Sequence, residues 1–265
     1  MSEIIFDAPN ITKLKSEGYV CIDMHLHSKY SADSNSKIDD IIEKAKTLGI
    51  GIAITDHNCV EGSLKAIDNK KGILVIPGIE VCSREGIDIL FYFEKKEELI
   101  WFYNEVIAPN KKKNRLGTNK LKINVLIENG KMYNSVICLA HPYRNYKKKI
   151  INLLTKRRLI KKIFDIIPLY EVINSKNFNA KNKKAIKVAK KKHKNVLGGS
   201  DAHNIKDIGR TLTCVKTKED STSFLNGLKE NNTLVIGNLQ GLKTKLIFPL
   251  YMFYKTKIKK ISVSK

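Results

Sequence analysis

Short apolar runs alternate along this chain with longer segments in which apolar residues recur at the spacing of a helix. The runs that predict strands are CIDMHL, GIAIT, ILVIPGIEV, IDILFYF, SVICLAH, LYEVIN and NVLGGSD. The segments KIDDIIEKAKTLG and NKKAIKVAKKKHK have helical period. This strand and helix alternation predicts an α/β fold with a mostly parallel sheet. Seven strands in 265 residues favour closure into a barrel over an open sheet.

Two stretches interrupt the alternation. One is a helical and basic excursion around 94–134, whose densest part, NKKKNRLGTNK, is either a solvated loop or a guide for a phosphodiester backbone. The other is the tail 241–265, in which we expect the apolar segment LIFPLYMFY to pack on the barrel, an amphipathic surface anchor being the alternative. No linker rich in Pro, Gly or Ser and no repeat separates a second domain. Residues 1–240 are therefore expected to form one domain.

Charge is the compositional outlier of the chain. There are 49 Lys and Arg residues against 26 Asp and Glu, a net charge of +23. Such an excess attracts nucleic acid or another polyanion, but lysines spread along solvated helix faces are equally compatible with it. No apolar run approaches the roughly 20 residues of a membrane helix, and the N-terminus has no signal-peptide pattern, which predicts a cytoplasmic protein.

The five cysteines are odd in number, far apart and free of CxxC spacing. This pattern predicts neither a disulfide framework nor a thiolate zinc site. We expect the cysteines to be small buried residues on core strands.

The candidate chemistry begins at DMHLHS, where His25 and His27 follow a predicted strand. Residues i and i+2 of a strand point to the same side, so both imidazoles can converge on one point. Other predicted strands also end in His, Asp or Glu: these residues are Asp56, His57, Glu80, His141, Asp201 and His203. Five of the six histidines occupy such positions, and His193, within a lysine-rich helix, is expected on the surface.

Each of these residues alone has an ordinary structural explanation, such as a hydrogen-bonded histidine or a helix-capping carboxylate. Together they bring five imidazoles and several carboxylates to one end of the predicted barrel. Burying these groups costs free energy unless a cation pairs with them. Nitrogen and oxygen donors without thiolates predict a catalytic Zn, Mn or Fe site with open positions rather than a closed structural zinc.

The motifs DMHLHS, TDHN, PGIEV, AHP and GSDAH, in this order, resemble those of the PHP family, the polymerase and histidinol phosphatase domain. The resemblance implies a distorted (βα)7 TIM-like barrel that holds two or three divalent metals (Mn, Fe or Zn) and hydrolyses phosphoesters. It also implies the metal ligands, with Glu80 as the bridging carboxylate: they are His25, His27, Asp33, His57, Glu80, Asp88, His141, Asp201 and His203.

Two positions depart from the pattern of many relatives. Asp88 stands in GIDIL where they have a histidine, and Asp33 stands where some members have a histidine. As a harder oxygen donor, Asp88 favours Mn or Fe over Zn. The departures make two metals a safer expectation than three.

Catalytic roles are expected for two further groups. Asp201 would help orient or deprotonate the attacking water, and Arg144, three residues after His141, would clamp a phosphate oxygen. A surface salt bridge is the alternative for Arg144. Asp56 is expected to orient an imidazole, and Glu171 with Asn174 to support the substrate pocket.

The phosphorylated substrate remains open at this stage. The charge favours a nucleotide or the 5′ end of a single-stranded oligonucleotide, and a small phosphomonoester of the histidinol phosphate type is the alternative. From other classes, the candidates are a metal-retaining binding module without turnover and an amidohydrolase-like C–N hydrolase. The near-complete ligand set argues against the former, and Glu80, standing where a carboxylated lysine would be needed, argues against the latter.

Overall fold

The computed structural model describes residues 2–112, 119–144, 162–163 and 165–239. Ten strands are present in this part of the chain: β1 Glu3–Ile5, β2 Tyr19–Leu26, β3 Gly51–Ile54, β4 Gly78–Cys82, β5 Asp88–Tyr92, β6 Val136–Leu139, β7 Leu169–Asn174, β8 Asn195–Gly199, β9 Thr211–Lys216 and β10 Leu234–Gly237. The α-helices are α1 Ile11–Ser16, α2 Ile38–Leu48, α3 Glu61–Asp68, α4 Lys96–Phe102, α5 Ile123–Met132, α6 Asn179–Lys191 and α7 Ser221–Lys229.

The strands form two five-stranded sheets, ordered β1-β10-β9-β2-β3 and β4-β5-β6-β7-β8. All seven predicted strand segments contain a strand, and the alternation with helices confirms the α/β class. The expectation of a mostly parallel sheet needs correction, because β5 runs antiparallel to β4 and β6, and β9 runs antiparallel to β2 and β10. For β4 and β5 the connection explains the antiparallel pairing, because only five residues separate the two strands, too few for a parallel crossover.

Both edge strands of the second sheet, β8 and β4, approach the first sheet. Beside β2, the Asp201 amide donates to the His25 carbonyl at 2.7 Å, and Leu26 pairs with Ala202. Beside β3, His57 pairs with Glu80 in an isolated bridge. Continuous ladders in the described part of the chain nevertheless form two sheets rather than one closed barrel.

Apolar side chains from both sheets meet in a shared interior. Ile22 and Met24 of β2 pack in one cluster with Leu90 and Tyr92 of β5. The Tyr92 hydroxyl donates to the Met24 carbonyl at 2.7 Å, so even the polar atom of this buried ring is satisfied. This cluster joins the two sheets, and two further apolar clusters pack helices against them, among them Ile41 of α2 and Leu99 of α4.

Helix α2 illustrates how the sequence periodicity becomes packing. Its apolar residues Ile38, Ile41, Ile42 and Ala45 follow helical spacing and are all buried. The helix ends at Gly49, whose φ of 69° is a left-handed conformation that glycine adopts without a Cβ clash.

One cysteine expectation is wrong. Cys21 of β2 and Cys214 of β9, 193 residues apart in sequence, form a disulfide. Spacing along the chain cannot show this pair because the antiparallel β2–β9 register places the two residues directly opposite each other. Cys138 is a buried free cysteine, as expected, whereas Cys59 and Cys82 are half-buried.

The excursion around 94–134 contains α4 and α5, joined by a π-helical turn at Tyr103–Ile107 and a 3-10 turn at Ala108–Asn110. Residues 113–118 of the basic stretch and the whole tail 241–265 lie outside the described residues. Within the described ranges, none of the helices combines the length and apolar character required to cross a membrane.

Candidate metal centre

The predicted ligands are brought together at one end of the sheets. His25 lies near the end of β2 with His27 just beyond it, His57 follows β3, and Glu80 lies in β4. Residues after β6 and β8 complete the group: they are His141, Asp201 and His203. The reversed direction of β5 places its first residue, Asp88, at this end too, opposite Cys82 in the β4–β5 ladder.

Three of these residues form a fully enclosed group, called here the buried cluster: His25, Glu80 and His141. Glu80 Oε2 lies 3.4 Å from His25 Nε2, and Glu80 Oε1 lies 3.2 Å from His141 Nε2. The side chains of His25 and Glu80 are 0% exposed and that of His141 is 2% exposed. Asp88 lies at its margin, with Oδ2 3.9 Å from His141 Nε2.

Four residues form a second group, called here the open cluster: His27, Asp33, His57 and His203. Asp33 Oδ2 lies 2.8 Å from His203 Nε2 and 3.5 Å from His57 Nε2. The side chains of Asp33 and His57 are 29% and 27% exposed. This group therefore faces solvent, unlike the buried cluster.

Two carboxylates join the clusters. Glu80 Oε2 is 3.4 Å from His27 Nε2 and 3.0 Å from His57 Nδ1, so one oxygen faces both groups. Asp201 Oδ1 is 3.3 Å from His27 Nε2, 3.4 Å from His203 Nδ1 and 3.8 Å from His25 Nε2. Ligand atoms of His25, His27 and Asp201 constitute a third compact group of donors.

The donor atoms fit divalent cations. Within each group, one ligand atom per residue lies within 4.8 Å of all the others. Glu80 Oε2 and Asp201 Oδ1 are buried yet have no hydrogen-bond partner, and the Nε2 atoms of His25 and His27 face each other at 3.2 Å. Buried polar atoms seldom stay unsatisfied in folded proteins, and unpaired carboxylate oxygens that face several imidazoles are suited to binding a cation. Imidazole and carboxylate donors suit Zn, Mn or Fe.

The backbone at two of these residues is left-handed. His141 has a φ of 27° and Asp201 a φ of 52°. For residues other than glycine this conformation costs of order 1–3 kcal/mol and concentrates at functional sites. At Asp201 it accompanies the hydrogen bond from the Asp201 amide to His25, which brings β8 against β2.

A carboxylate behind the buried cluster orients its ligands. Glu171 Oε1 lies 2.9 Å from His25 Nδ1, and Glu171 Oε2 accepts the His141 amide at 2.7 Å. Asn174 in turn donates to Glu171 Oε1 at 3.0 Å. Such a partner holds an imidazole with Nε2 directed at a cation.

Asp56 does not have the expected contact with an imidazole. Its carboxylate accepts the amide of Ser28 at 2.7 Å and the hydroxyl of Ser28 at 2.6 Å, which holds the turn after His27. Asp56 and His57 are adjacent in sequence, but successive side chains at the end of a strand point in different directions. Adjacency therefore does not bring the Asp56 carboxylate to the His57 imidazole. His193 is exposed, as expected.

Two cations and an amide surround Asp201. Arg144 Nη2 donates to Asp201 Oδ2 and, at 3.0 Å, to Asn174 Oδ1, while Asn174 donates to Asp201 Oδ2 at 3.1 Å. Lys176 Nζ lies 4.0 Å from Asp201 Oδ1 and 2.8 Å from His203 Nδ1. Sequence reasoning missed Lys176, because nothing distinguishes it among 49 basic residues.

The titration of the cluster reflects these neighbours. Burial raises the pKa of Glu80, but the imidazoles of His57 and His25 overcome that effect and hold it well below its usual range. Burial likewise raises the pKa of Asp201, yet Arg144 and Lys176 hold it well below normal. Burial and the neighbouring His203 lower the pKa of His27 to about 3. Both joining carboxylates are therefore anionic and His27 is a neutral donor near pH 7, the states in which they bind cations.

Two family models match this sequence. The sequence profile of the PHP domain matches residues 23–196, and that of the PHP-associated region matches residues 179–233. No curated protein sequence matches the chain.

Several solved structures share the fold. A two-domain protein from Bacteroides vulgatus that contains a predicted PHP-like metal-dependent phosphoesterase superposes with a TM-score of 0.61 at 16% identity, over 89% of this chain and 69% of that one. PsfC from Pseudomonas syringae superposes with a TM-score of 0.63 at 14% identity, over 88% of this chain and 98% of that one.

The lesion-specific endonuclease PfuEndoQ from Pyrococcus furiosus gives a TM-score of 0.61 at 20% identity, over 82% of this chain and 57% of that one. At these identities the likeness concerns the fold alone. The profile match, in contrast, spans most of the chain and includes all the motif residues from His25 to His141. The chain belongs to the PHP family.

Proposed function

We propose that this protein is a metal-dependent phosphoesterase. The observation that carries the proposal is the pair of joined clusters, in which Glu80 and Asp201 each face imidazoles of both groups. Closely spaced metals of this kind stabilise the attacking and leaving oxygens of a phosphoryl group. A structural site would be closed, whereas the open cluster leaves Asp33 and His57 exposed to solvent.

The proposed ligands follow the two clusters. His25, Glu80 and His141 would hold a cation in the buried cluster, with Asp88 at its margin. His27, Asp33, His57 and His203 would hold a cation in the open cluster. Asp201 would act as a ligand between the two clusters. Two metals, or three if the His25–His27–Asp201 group also binds one, would then be held.

We further propose that β2 to β8 constitute a distorted seven-stranded barrel. The hydrogen bonds between β2 and the residues after β8, together with the His57–Glu80 bridge, support this arrangement. In this proposal the barrel comprises most of residues 1–240, and the tail 241–265 packs against it.

The reaction we propose is attack of water on a phosphorus atom: a P–O bond to the water oxygen forms, the ester P–O bond breaks, and the departing ester oxygen takes up a proton from solvent. Bound divalent metals supply charge neutralisation at the phosphoryl oxygens and a lowered pKa of water. Asp201 Oδ1 would hold the attacking water and accept its proton. Arg144, whose side chain is 31% exposed beside Asp201, would bind a non-bridging phosphate oxygen from the solvent side.

A nucleotide or a single-stranded oligonucleotide is the substrate class we propose. The net charge of +23 attracts phosphate backbones. Endonuclease Q, whose fold is similar and which was solved with a 27-mer duplex that has an abasic lesion at its active site, is a precedent that supports this proposal. The structural match to that complex has 18% identity and a TM-score of 0.59.

The experiment is hydrolysis by metal-stripped protein reloaded separately with Mn, Fe, Zn or Mg. Its substrates are an aryl phosphate, an aryl phosphodiester, histidinol phosphate, a nucleoside 3′,5′-bisphosphate and 5′-phosphorylated single-stranded DNA and RNA. We expect metal-dependent turnover that Asp201→Asn reduces by roughly a thousandfold, as loss of several kcal/mol of transition-state stabilisation requires. Asp207→Asn, a buried aspartate outside the clusters, is the matched control.

Metal-loaded protein without turnover on any substrate would instead favour a non-catalytic binding module. Turnover confined to histidinol phosphate would favour the small phosphomonoesterase.

A further inference from the structure

One buried amide lies between the carboxylates that serve the two clusters. Asn174 is the last residue of β7 and is 0% exposed. Its Nδ2 donates to Glu171 Oε1 at 3.0 Å and to Asp201 Oδ2 at 3.1 Å. Glu171 stands behind His25 and His141 of the buried cluster, and Asp201 stands between the two clusters. A single side chain is therefore bonded to the groups that orient both.

An irregularity in β7 explains how Asn174 reaches this position. Glu171 and Asn174 are three residues apart, and in a regular strand such residues point to opposite faces. β7 pairs regularly with β8 up to Glu171 and again from Ile173, so Val172 is an extra residue in the ladder. One extra residue moves the side chains that follow it to the other face, which brings Asn174 to the side of Glu171.

The Asn174 side chain has a partner at every hydrogen-bonding position. An asparagine amide offers two donors and two acceptor sites. Both donors go to carboxylates, and Oδ1 accepts from Arg144 Nη2 at 3.0 Å and from the Lys176 backbone amide at 3.1 Å. The reverse orientation would direct the amide oxygen at two carboxylates and the amide nitrogen at two donors. The partners therefore fix which way Asn174 faces.

A second buried asparagine holds the backbone of Asn174. Asn182 of α6 is 1% exposed, and its Nδ2 donates to the Asn174 carbonyl at 3.0 Å. Its Oδ1 accepts the Asn174 amide at 3.4 Å and Asn177 Nδ2 at 3.2 Å. A buried polar network whose members are satisfied is rigid and specifies one arrangement. Asn174 is thus anchored to α6 through its backbone and to the metal centre through its side chain.

The contacts of Asn174 decide which oxygen of Asp201 faces the clusters. Asp201 Oδ2 accepts from Asn174 and from Arg144. Because a carboxylate is planar, holding Oδ2 also sets the direction of Oδ1, which lies 3.3 Å from His27 Nε2 and 3.8 Å from His25 Nε2. Without the amide, one of the two donors that hold Oδ2 is lost.

We propose that Asn174 is a positioning residue that couples the two metal positions, by fixing the carboxylates of Glu171 and Asp201 from one amide. This inference rests on the proposed function, since it concerns the metal centre of the same site. It predicts a pattern that distinguishes Asn174 from Glu171: a change at Asn174 weakens both metals, whereas a change at Glu171 weakens the metal of the buried cluster.

The first test measures metal affinity and needs no turnover. Asn174→Leu retains the branching of the side chain, removes its polar atoms and leaves no room for a replacement water. Competition with a fluorescent chelator, with Mn as the metal, should show both affinities falling roughly tenfold or more, the usual result of altering a group behind metal ligands. Asn174→Ala, with the same expected loss, replaces this variant if it does not fold.

Asn119 provides the matched control. It is also 0% exposed, and its side chain donates to the Ile107 carbonyl and accepts the Leu121 amide, so it is bonded to backbone rather than to carboxylates. Asn119→Leu and Asn119→Ala should leave both metal affinities at the wild-type values. Unchanged affinities in a folded Asn174 variant, or loss at one metal only, would overturn the coupling.

The second test asks whether Asn174 acts through Asp201. In an Asp201→Asn background the carboxylate that Asn174 orients is already absent. For the metal that Asp33→Asn weakens, adding Asn174→Leu should then change the affinity by less than about twofold, the additivity limit for measurements of this kind. A further tenfold loss would show that Asn174 acts by another route and would overturn its assignment to Asp201.

The third test links positioning to turnover and separates the two proposals. At saturating metal, Asn174→Leu should lower kcat about a hundredfold and leave KM for an aryl phosphodiester unchanged, because small displacements of reacting groups cost rate without removing a substrate contact. A raised KM with unchanged kcat would overturn the positioning role. Normal turnover with metal affinities insensitive to Asn174 would overturn it too and leave the phosphoesterase intact. Two metals sensitive to Asn174, without hydrolysis of any substrate, would support the coupling and overturn the proposed function.

Discussion

The buried and open clusters use the same residue types in opposite environments. The buried cluster has ligand side chains that are 0–2% exposed and a carboxylate, Glu171, behind His25. The open cluster has an aspartate and a histidine that are each more than a quarter exposed. A cation in the buried cluster compensates groups that have lost their hydration, whereas one in the open cluster adds to groups that water already solvates partly. A cation in the buried cluster should therefore be tightly held, and one in the open cluster should be exchangeable and nearer to the substrate.

The largest effect is expected from Glu80→Gln, because Glu80 contacts imidazoles of both clusters. Removing its charge leaves four buried or half-buried histidines without their shared anion, and we expect both metals to be lost. Turnover should fall by more than about a thousandfold. Metal analysis with steady-state kinetics is the measurement, and Glu94→Gln, a carboxylate bonded to Lys229 and Thr222, is the control. Retention of one tightly bound metal would show that the clusters do not depend on this shared ligand.

A smaller effect is expected from Glu171→Gln, which acts on the buried cluster alone. The glutamine side chain has the shape of Glu171 but no negative charge. It therefore lacks the anion that holds His25 and that accepts the hydrogen bond from the His141 amide. Weakening of one metal by 10- to 100-fold is the usual result when a carboxylate behind a ligand histidine is altered. Competition with a fluorescent chelator measures the two affinities, and an equal loss at both sites would contradict the separation of the clusters.

Asp33→Asn tests the open cluster in the same way. The asparagine retains an oxygen toward His203 and His57 but removes the anion from a partly hydrated position. We expect affinity for one metal to fall about tenfold, which corresponds to one charge-assisted contact. The second metal should be retained at wild-type affinity, and its loss would indicate that the two positions fill together.

Stepwise chelation should give the smallest change. Mild chelator should remove the exchangeable metal and lower the melting temperature by about 5–11 °C, since a ligand at a hundred times its Kd contributes about 2.7 kcal/mol and 1 kcal/mol shifts a chain of this size by about 2–4 °C. Stronger chelator should then lower the melting temperature further. Differential scanning calorimetry with metal analysis at each step would reveal whether the loss is instead a single event.

The linear sequence was sufficient for the element types and for most of the candidate site. Each predicted strand carries its own apolar pattern, and the His, Asp and Glu residues at strand ends are visible because parallel strands end at one edge. Asp88 was predicted as a ligand only from the family resemblance. The reversed direction of β5 explains this, because Asp88 lies at the start of a strand and not at the end of one. β1, β9 and β10 were not predicted, and β1 and β10 are only three and four residues long.

The role expected for Asp56 was wrong and Lys176 was not identified, and both errors have another cause. Which carboxylate contacts an imidazole depends on side-chain direction after a strand, and Glu171 comes to His25 from 146 residues away in sequence. Lys176 has nothing in its local sequence that separates it from other lysines, yet it lies 2.8 Å from His203 Nδ1. The Cys21–Cys214 disulfide belongs to the same class, because it depends on the β2–β9 register.

By itself the sequence determined the α/β class, the strands that deliver the histidines and the kind of atoms that could bind a cation, because these follow from residue type and local periodicity. Only contacts in the folded chain establish which ligands are buried, which carboxylates join the clusters, and that Arg144 pairs with Asp201. Those properties arise from contacts between segments far apart in the chain, where the direction of a single strand or the rotation of one side chain changes the partner.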